Sequence, residues 1–272
     1  QSTRIVFDES GEPLNQGVVG PINKLTPSWI TSGEEMIIVN HQTYRSVPDG
    51  HDQVRGSLEL LDFIIDEYNA DPTRVVAFGN SAGGMHISSV LNNHADRFAG
   101  YVMMNSRFTG MTNYFNEPYS NHITGEFTQN GKGWTTQQMW DYLNEEGSRM
   151  ERSEYIDDAW AAMGSVVEAE MPVWVVHGIS DHSLAVSGGV TAYEVLRELY
   201  REKGLSEERI DELVKLSIFE DQEFRDVSCV NYHSASKVVA TRPKYLEWAL
   251  EQKNEYKISG SNAVTRVGPS QH

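Results

Sequence analysis

Cysteine is nearly absent: Cys229 stands alone in 272 residues, so no disulfide can close within the chain and the redox compartment cannot be read from its cysteines. A catalytic or metal-binding cysteine would need a base or further ligands beside it, and Cys229 reads instead as a small apolar core residue. Positive charge is also scarce, with 22 Lys and Arg against 39 Asp and Glu and a formal net charge of −17. An acidic surface repels nucleic acid and anionic lipid, which removes both as expected partners. It serves solubility, and it is compatible with a neutral or cationic substrate. No apolar run reaches the length of a membrane span. No leader peptide is visible, but the sequence opens on Gln1 rather than Met, which reads as a processed or trimmed N-terminus, so this absence excludes nothing.

Cofactor signatures are missing as well. There is no nucleotide-cradling G-x-x-x-x-G-K-[ST] loop and no G-x-G-x-x-G after a strand. His41, His51, His86, His94, His122 and His177 form no H-E-x-x-H or similarly spaced ligand set. The expectation is therefore neither a metal nor a nucleotide cofactor, with His86 packed on a helix rather than ligating.

What is present is an ordinary globular composition, 39% hydrophobic and 22% charged, enough for one core. Short β-branched apolar runs alternate with stretches of helical periodicity. Strands are expected at residues 4–7, 36–39, 74–78, 101–104 and 173–176. Helices are expected at residues 52–69, 83–93, 190–202, 206–216 (capped by Ser206) and 243–253. This alternation argues for a mostly parallel, doubly wound α/β sheet, one domain over residues 1–258 with a loose tail at 259–272. Residues 107–170 break the rhythm. They are polar and rich in Gly, Asn and aromatics such as Tyr114, Trp134, Trp140 and Trp160, and read as a cap inserted between strands. That cap could form an apolar or sugar-stacking wall, or merely a satellite core.

Gly79-Asn80-Ser81-Ala82-Gly83 matches G-x-S-x-G. A pentapeptide is short enough to occur by chance, so its context decides: a strand before it and a helix after it. Such a strand–turn–helix bend lifts the Ser81 hydroxyl over the sheet edge and leaves the Ala82 amide at a helix N-terminus, suited to an oxyanion. A serine hydroxyl needs a base, and the base an orienting carboxylate. In chain order the acid follows a later strand, which selects Asp181 after the run at 173–176, at the strand end where ligands sit in open α/β sheets. His182, His233 and His272 follow it. His182 is adjacent to the acid and His272 ends the tail. This leaves His233, expected just past the last strand and before the closing helix.

The run from Asp71-Pro72-Thr73-Arg74-Val75 to Gly79-Asn80-Ser81-Ala82-Gly83-Gly84, with His177-Gly178, Asp181, and His233 followed by Tyr245 to Leu250, resembles the α/β-hydrolase fold in its polyhydroxybutyrate-depolymerase and feruloyl-esterase-like carboxylesterase branch. The resemblance spans about residues 23–253 and is weak in the aromatic insertion. It implies cofactor-free hydrolysis of a small-molecule or polymeric ester through an acyl-enzyme, with Ser81 as nucleophile, Asp181 as acid and His233 as base, in an extracellular or periplasmic setting. One departure stands out. That branch carries His-Gly after its first central strand, where this sequence has Asp8 and Glu9. A carboxylate aimed inward there would repel an oxyanion, and the Ser10 amide is the candidate second donor beside Ala82. A serine peptidase of the same fold, and a degenerate binding protein keeping the fold, are the alternatives. The oligomeric state is not written in the sequence.

Overall fold

The computed structural model describes residues 36–39, 53–111, 114–116, 135–181, 183–229 and 232–254. The expected strand at 4–7, Ser10 with Asp8 and Glu9, part of the aromatic insertion (117–134), His182, and the tail lie outside them.

Four parallel strands form the described sheet: β1 (Val76–Asn80), β2 (Gly100–Met104), β3 (Val173–Gly178) and β4 (Val214–Phe219), in spatial order β1-β2-β3-β4. Helices α1 (Gln53–Tyr68) and α2 (Ala82–His94) flank β1 in sequence. Between β2 and β3 come α3 (Thr136–Leu143) and α4 (Arg152–Glu168), and between β3 and β4 come α5 (Val186–Glu202) and α6 (Glu207–Leu213). The chain then continues as α7 (Asp221–Asp226), α8 (Ala235–Val239) and α9 (Pro243–Glu251).

The strand order explains the layering. When each strand pairs with the next in one direction, right-handed crossovers put the connecting helices on the same face. Alternate side chains confirm it: Tyr101, Met103, Val173 and Val175 pack with Leu91 of α2, Ala159 and Met163 of α4, and Val195 of α5. The opposite face must then be covered by chain beyond the last crossover. Val102, Met104, Trp174 and Val176 meet Phe224, Val238, Tyr245 and Trp248 of α7, α8 and α9. Every residue of β2 and β3 is buried, as expected for central strands of a parallel sheet covered on both faces.

Several boundaries differ from the sequence expectation. Strand β1 runs two residues further than 74–78, because Gly79 and Asn80 stay in register with Met103 and Met104. Helix α6 is capped by Ser206 as expected, but ends at Leu213. Val214 to Phe219 joins the sheet edge instead of prolonging the helix, because pairing with β3 outweighs local helical preference. Helix α5 starts at Val186, four residues early, with Gly188 and Gly189 in its first turn. A Cβ on Gly189 would lie 2.6 Å from His177 Nδ1, so this glycine marks a close approach rather than a break. Residues 36–39 adopt no regular strand, and Ile37 and Val39 are exposed.

Within 107–170, the helix before β3 is not set apart from the sheet. Helix α4 buries Tyr155, Ala159, Ala162, Met163, Val166 and Val167 against the main core and belongs to the sheet's own helical layer. Its polar, aromatic-rich composition hides the apolar stripe. Ahead of α4, the described residues Phe115, Met139 and Leu143 form a satellite core with Ile179, Val186 and Val190 near the C-terminal end of β3. Arg149 secures it: its guanidinium pairs with Glu194 at 3.0 Å, donates to the Leu143 carbonyl at 2.7 Å and lies over the Tyr114 and Phe115 rings.

Candidate active site

Strand β1 turns into α2 at Ser81, whose φ of 56° and ψ of −127° place it in a region that non-glycine residues rarely occupy. Such a conformation costs on the order of 1–3 kcal/mol and persists only where its surroundings enforce it. They do so here. The Ser81 amide donates to the Met104 carbonyl at 3.0 Å, and the Ser106 hydroxyl donates to the Ser81 carbonyl at 2.9 Å. The bend needs glycine at 79 and 84 rather than at the motif's second glycine. A Cβ on Gly79 would sit 2.6 Å from the Gly84 Cα, and one on Gly84 would strike the Ser106 side chain, whereas one on Gly83 meets nothing within 4 Å among the described residues.

The structure brings the three sequence-selected side chains together at one end of the sheet. His233 Nε2 lies 2.7 Å from Ser81 Oγ, and His233 Nδ1 lies 2.8 and 2.9 Å from the two Asp181 oxygens. Asp181 follows β3 through a short turn. His233 does not follow the last strand directly, since α7 intervenes, but its loop is seated at the same sheet end. Gly178 leaves room for that loop: a Cβ there would be 2.6 Å from the Tyr232 carbonyl.

Asp181 is buried and fully engaged. Its Oδ1 accepts from the Ser183 amide at 2.7 Å and the Leu184 amide at 3.1 Å, and its Oδ2 accepts from the Asn105 side chain. Burial pushes its carboxyl up, but hydrogen bonds from His177, His233 and the Asn105 amide outweigh that and hold it below the usual carboxylate range. An ionised Asp181 requires the His233 proton to sit on Nδ1, facing the acid. Nε2 is then bare and accepts the Ser81 O–H, the orientation a general base needs.

This lowered acid has a consequence for stability. Its folded pKa lies below the unfolded value of about 3.9, so its stabilisation is complete above that pH and is lost as the pH falls toward the folded value. The resistance of wild type to denaturant should fall as the pH drops below about 4, while Asp181→Asn flattens this acid limb; equal acid slopes in the two proteins would contradict it.

Ala82 opens α2, where helix amides have no intrahelical acceptor, so its N–H is placed as a donor beside Ser81. The other proposed donor, Ser10, lies outside the described residues. His86 packs α2 against α1, its Nε2 2.7 Å from the Ser57 hydroxyl. Cys229 is buried in the core cluster under α7 to α9. Among the described residues no group of three His, Cys, Asp or Glu could hold a metal, and no helix is long and apolar enough to cross a membrane.

Sequence reasoning gave no site role to three residues found here: Asn80, Asn105 and His177. The Asn80 side chain reaches the His233 carbonyl at 3.4 Å, and His177, fully buried, contacts the Leu184 carbonyl at 3.0 Å. Their one available signal was position, since each stands at or just beyond the C-terminal end of a strand.

A parallel sheet covered on both faces, with a strained serine at the first strand end hydrogen-bonded to a histidine that is itself held by an aspartate, defines the class of α/β-hydrolase-fold serine hydrolases. The sequence matches the prolyl oligopeptidase family over residues 49–223, more than half the chain, and the chain belongs to that family. No curated protein matches it. Among solved structures it is similar to a thermostable esterase (14% identity, TM-score 0.45, covering 74% of this chain and 36% of that one). It is also similar to an acylaminoacyl peptidase of Pyrococcus horikoshii (15%, 0.42, 79% and 29%). A third is a monoacylglycerol lipase of Paleococcus ferrophilus (14%, 0.34, 74% and 76%). The chain thus spans about a third of the length of the first two.

Proposed function

We propose that the chain hydrolyses carboxylic esters through an acyl-enzyme on Ser81. The observation that carries this reading is the 2.7 Å contact between Ser81 Oγ and His233 Nε2, with the imidazole's other nitrogen on Asp181. His233 takes the hydroxyl proton as Oγ adds to the ester carbonyl. The Ala82 amide, with a second donor for which Ser10 is the candidate, binds the resulting oxyanion. His233 then gives the proton to the departing alkoxide, leaving acyl-Ser81 and free alcohol. Water repeats the sequence, losing a proton to His233 and releasing the acid and Ser81. Asp181 orients the ring and stabilises its cation throughout.

The ester reading, with aryl, acyl or carbohydrate esters as the substrate range, follows the carboxylesterase resemblance and the aromatic residues around 107–170. The same resemblance supports an extracellular or periplasmic setting. Family membership favours a second reading, a serine peptidase, because the two reactions share this catalytic group. Parallel assays with aryl esters and aminoacyl amides separate the two. The proposal expects the higher kcat/KM on esters; higher kcat/KM on amides would replace it with the peptidase reading, and no turnover of either would leave a binding protein. Metal chelators should leave the rate unchanged, because every proton in this sequence moves between side chains, substrate and water. Inhibition reversed by added metal would contradict the scheme.

A further inference from the structure

We propose that Asn105 is a positioning residue that holds Asp181 and the His233 loop in register; the proposal rests on the triad reading above. Asn105 directly follows β2, is fully buried, and has a φ of 42°. Its amide donates to the Val176 carbonyl at 2.8 Å, which locks its backbone to β3, the strand that leads to the acid. Its side chain then spends its hydrogen-bonding groups on three different segments. Nδ2 donates to Asp181 Oδ2 and to the Tyr232 carbonyl at 3.2 Å, and Oδ1 accepts from the Ala235 amide at 3.1 Å. One amide thus grips the acid and both flanks of the base.

The residue type follows from two constraints taken together. A left-handed φ favours Gly, Asn and Asp. Among these only Asn offers two donors and an acceptor on one short planar group. Gly would make none of the bonds, and Asp would turn an oxygen toward a carboxylate that is already ionised. Ser106, the next residue, supports the Ser81 carbonyl, so the dipeptide after β2 braces both the nucleophile and its relay. With its side chain enclosed, Asn105 acts through Asp181 and the loop, not on substrate.

The test compares Asn105→Gly and Asn105→Asp, both compatible with the backbone, the second also preserving volume. Ester hydrolysis by Asn105→Gly should lose on the order of 10- to 100-fold in kcat, as for one hydrogen bond to a charged group, with KM within about two-fold. Asn105→Asp should lose at least as much despite its matching shape. In both, the downfield imidazole N–H proton resonance, identified by its loss in His233→Ala, should move or vanish. Combined with Asp181→Asn, either change should add little to the loss from Asp181→Asn alone, because groups acting as a unit are not additive. Wild-type kcat and an unmoved resonance in Asn105→Asp would reduce the residue to a space filler, and multiplicative losses in the double variant would give it a role independent of the acid. Should Asn105→Gly not fold, the isosteric variant and its spectrum carry the decision. If wild type hydrolyses nothing, the triad reading falls, while the resonance in the two variants still decides whether Asn105 positions His233.

Discussion

Replacing Ser81 by alanine is expected to lower kcat on any ester the wild type turns over by on the order of 10⁴-fold or more, while the circular dichroism spectrum and melting temperature stay close to wild type. The size of the loss follows from what Oγ alone supplies. His233 can still accept a proton and the Ala82 amide can still bind an oxyanion, but no atom within reach of the bare Nε2 remains to form the acyl bond. Folding should survive, because the bend is enforced by Gly79, Gly84 and the Ser106 hydroxyl on the Ser81 carbonyl, none of which involves the Ser81 hydroxyl. Alanine does pay for the left-handed φ of 56°, as serine already does, so the difference between them is small. A Ser81→Ala protein with more than a tenth of wild-type turnover would show that the reaction runs elsewhere.

The largest stability effect is expected at Gly79. Its Cβ would stand 2.6 Å from the Gly84 Cα and 2.9 Å from the Gly83 carbonyl, both backbone atoms of a helix that is itself packed on the sheet. Neither partner is a flexible side chain that can swing aside. Gly79→Ala should therefore cost about 3 kcal/mol or more, or roughly 10 °C in Tm, and separate β1 from α2. Gly83→Ala is the control. It lies in the first turn of α2 with no described atom near its Cβ, and should match or exceed wild-type stability by a few tenths of a kcal/mol, about the gain in helix propensity. Equal melting temperatures for the two variants would contradict the close-approach account of the elbow.

These two positions also show what the sequence made legible. The elbow is local: a strand, a sharp turn and a helix are written in consecutive residues, so Ser81 and its flanking elements could be read from composition and order. Asp181 and His233 were reachable because chemistry demands an acid and a base and few positions qualified. The assignment of close approach to Gly84 rather than Gly83 was not legible, since it depends on where Ser106 stands across the sheet. Asn105 was hidden for the same reason. Its partners at 181, 232 and 235 meet it only through parallel register, fixed by the Asn105 amide on the Val176 carbonyl, and no local pattern encodes that pairing. In α4, aromatic and charged residues mask the stripe from Tyr155 to Val167, so a helix of the layer that covers the sheet read as part of the insertion. At β4, a run that is helical by continuation became a strand because β3 offered an open edge.

The account turns on the Ser81 hydroxyl passing its proton to His233. Its most direct measurement is the site of covalent attachment of a fluorophosphonate, mapped by mass spectrometry of the digested protein in wild type and in His233→Ala. The account predicts one adduct per chain, carried by the peptide holding Ser81 and nearly lost when the imidazole is removed. An adduct on another residue, or labelling of Ser81 at the same rate without His233, would contradict it.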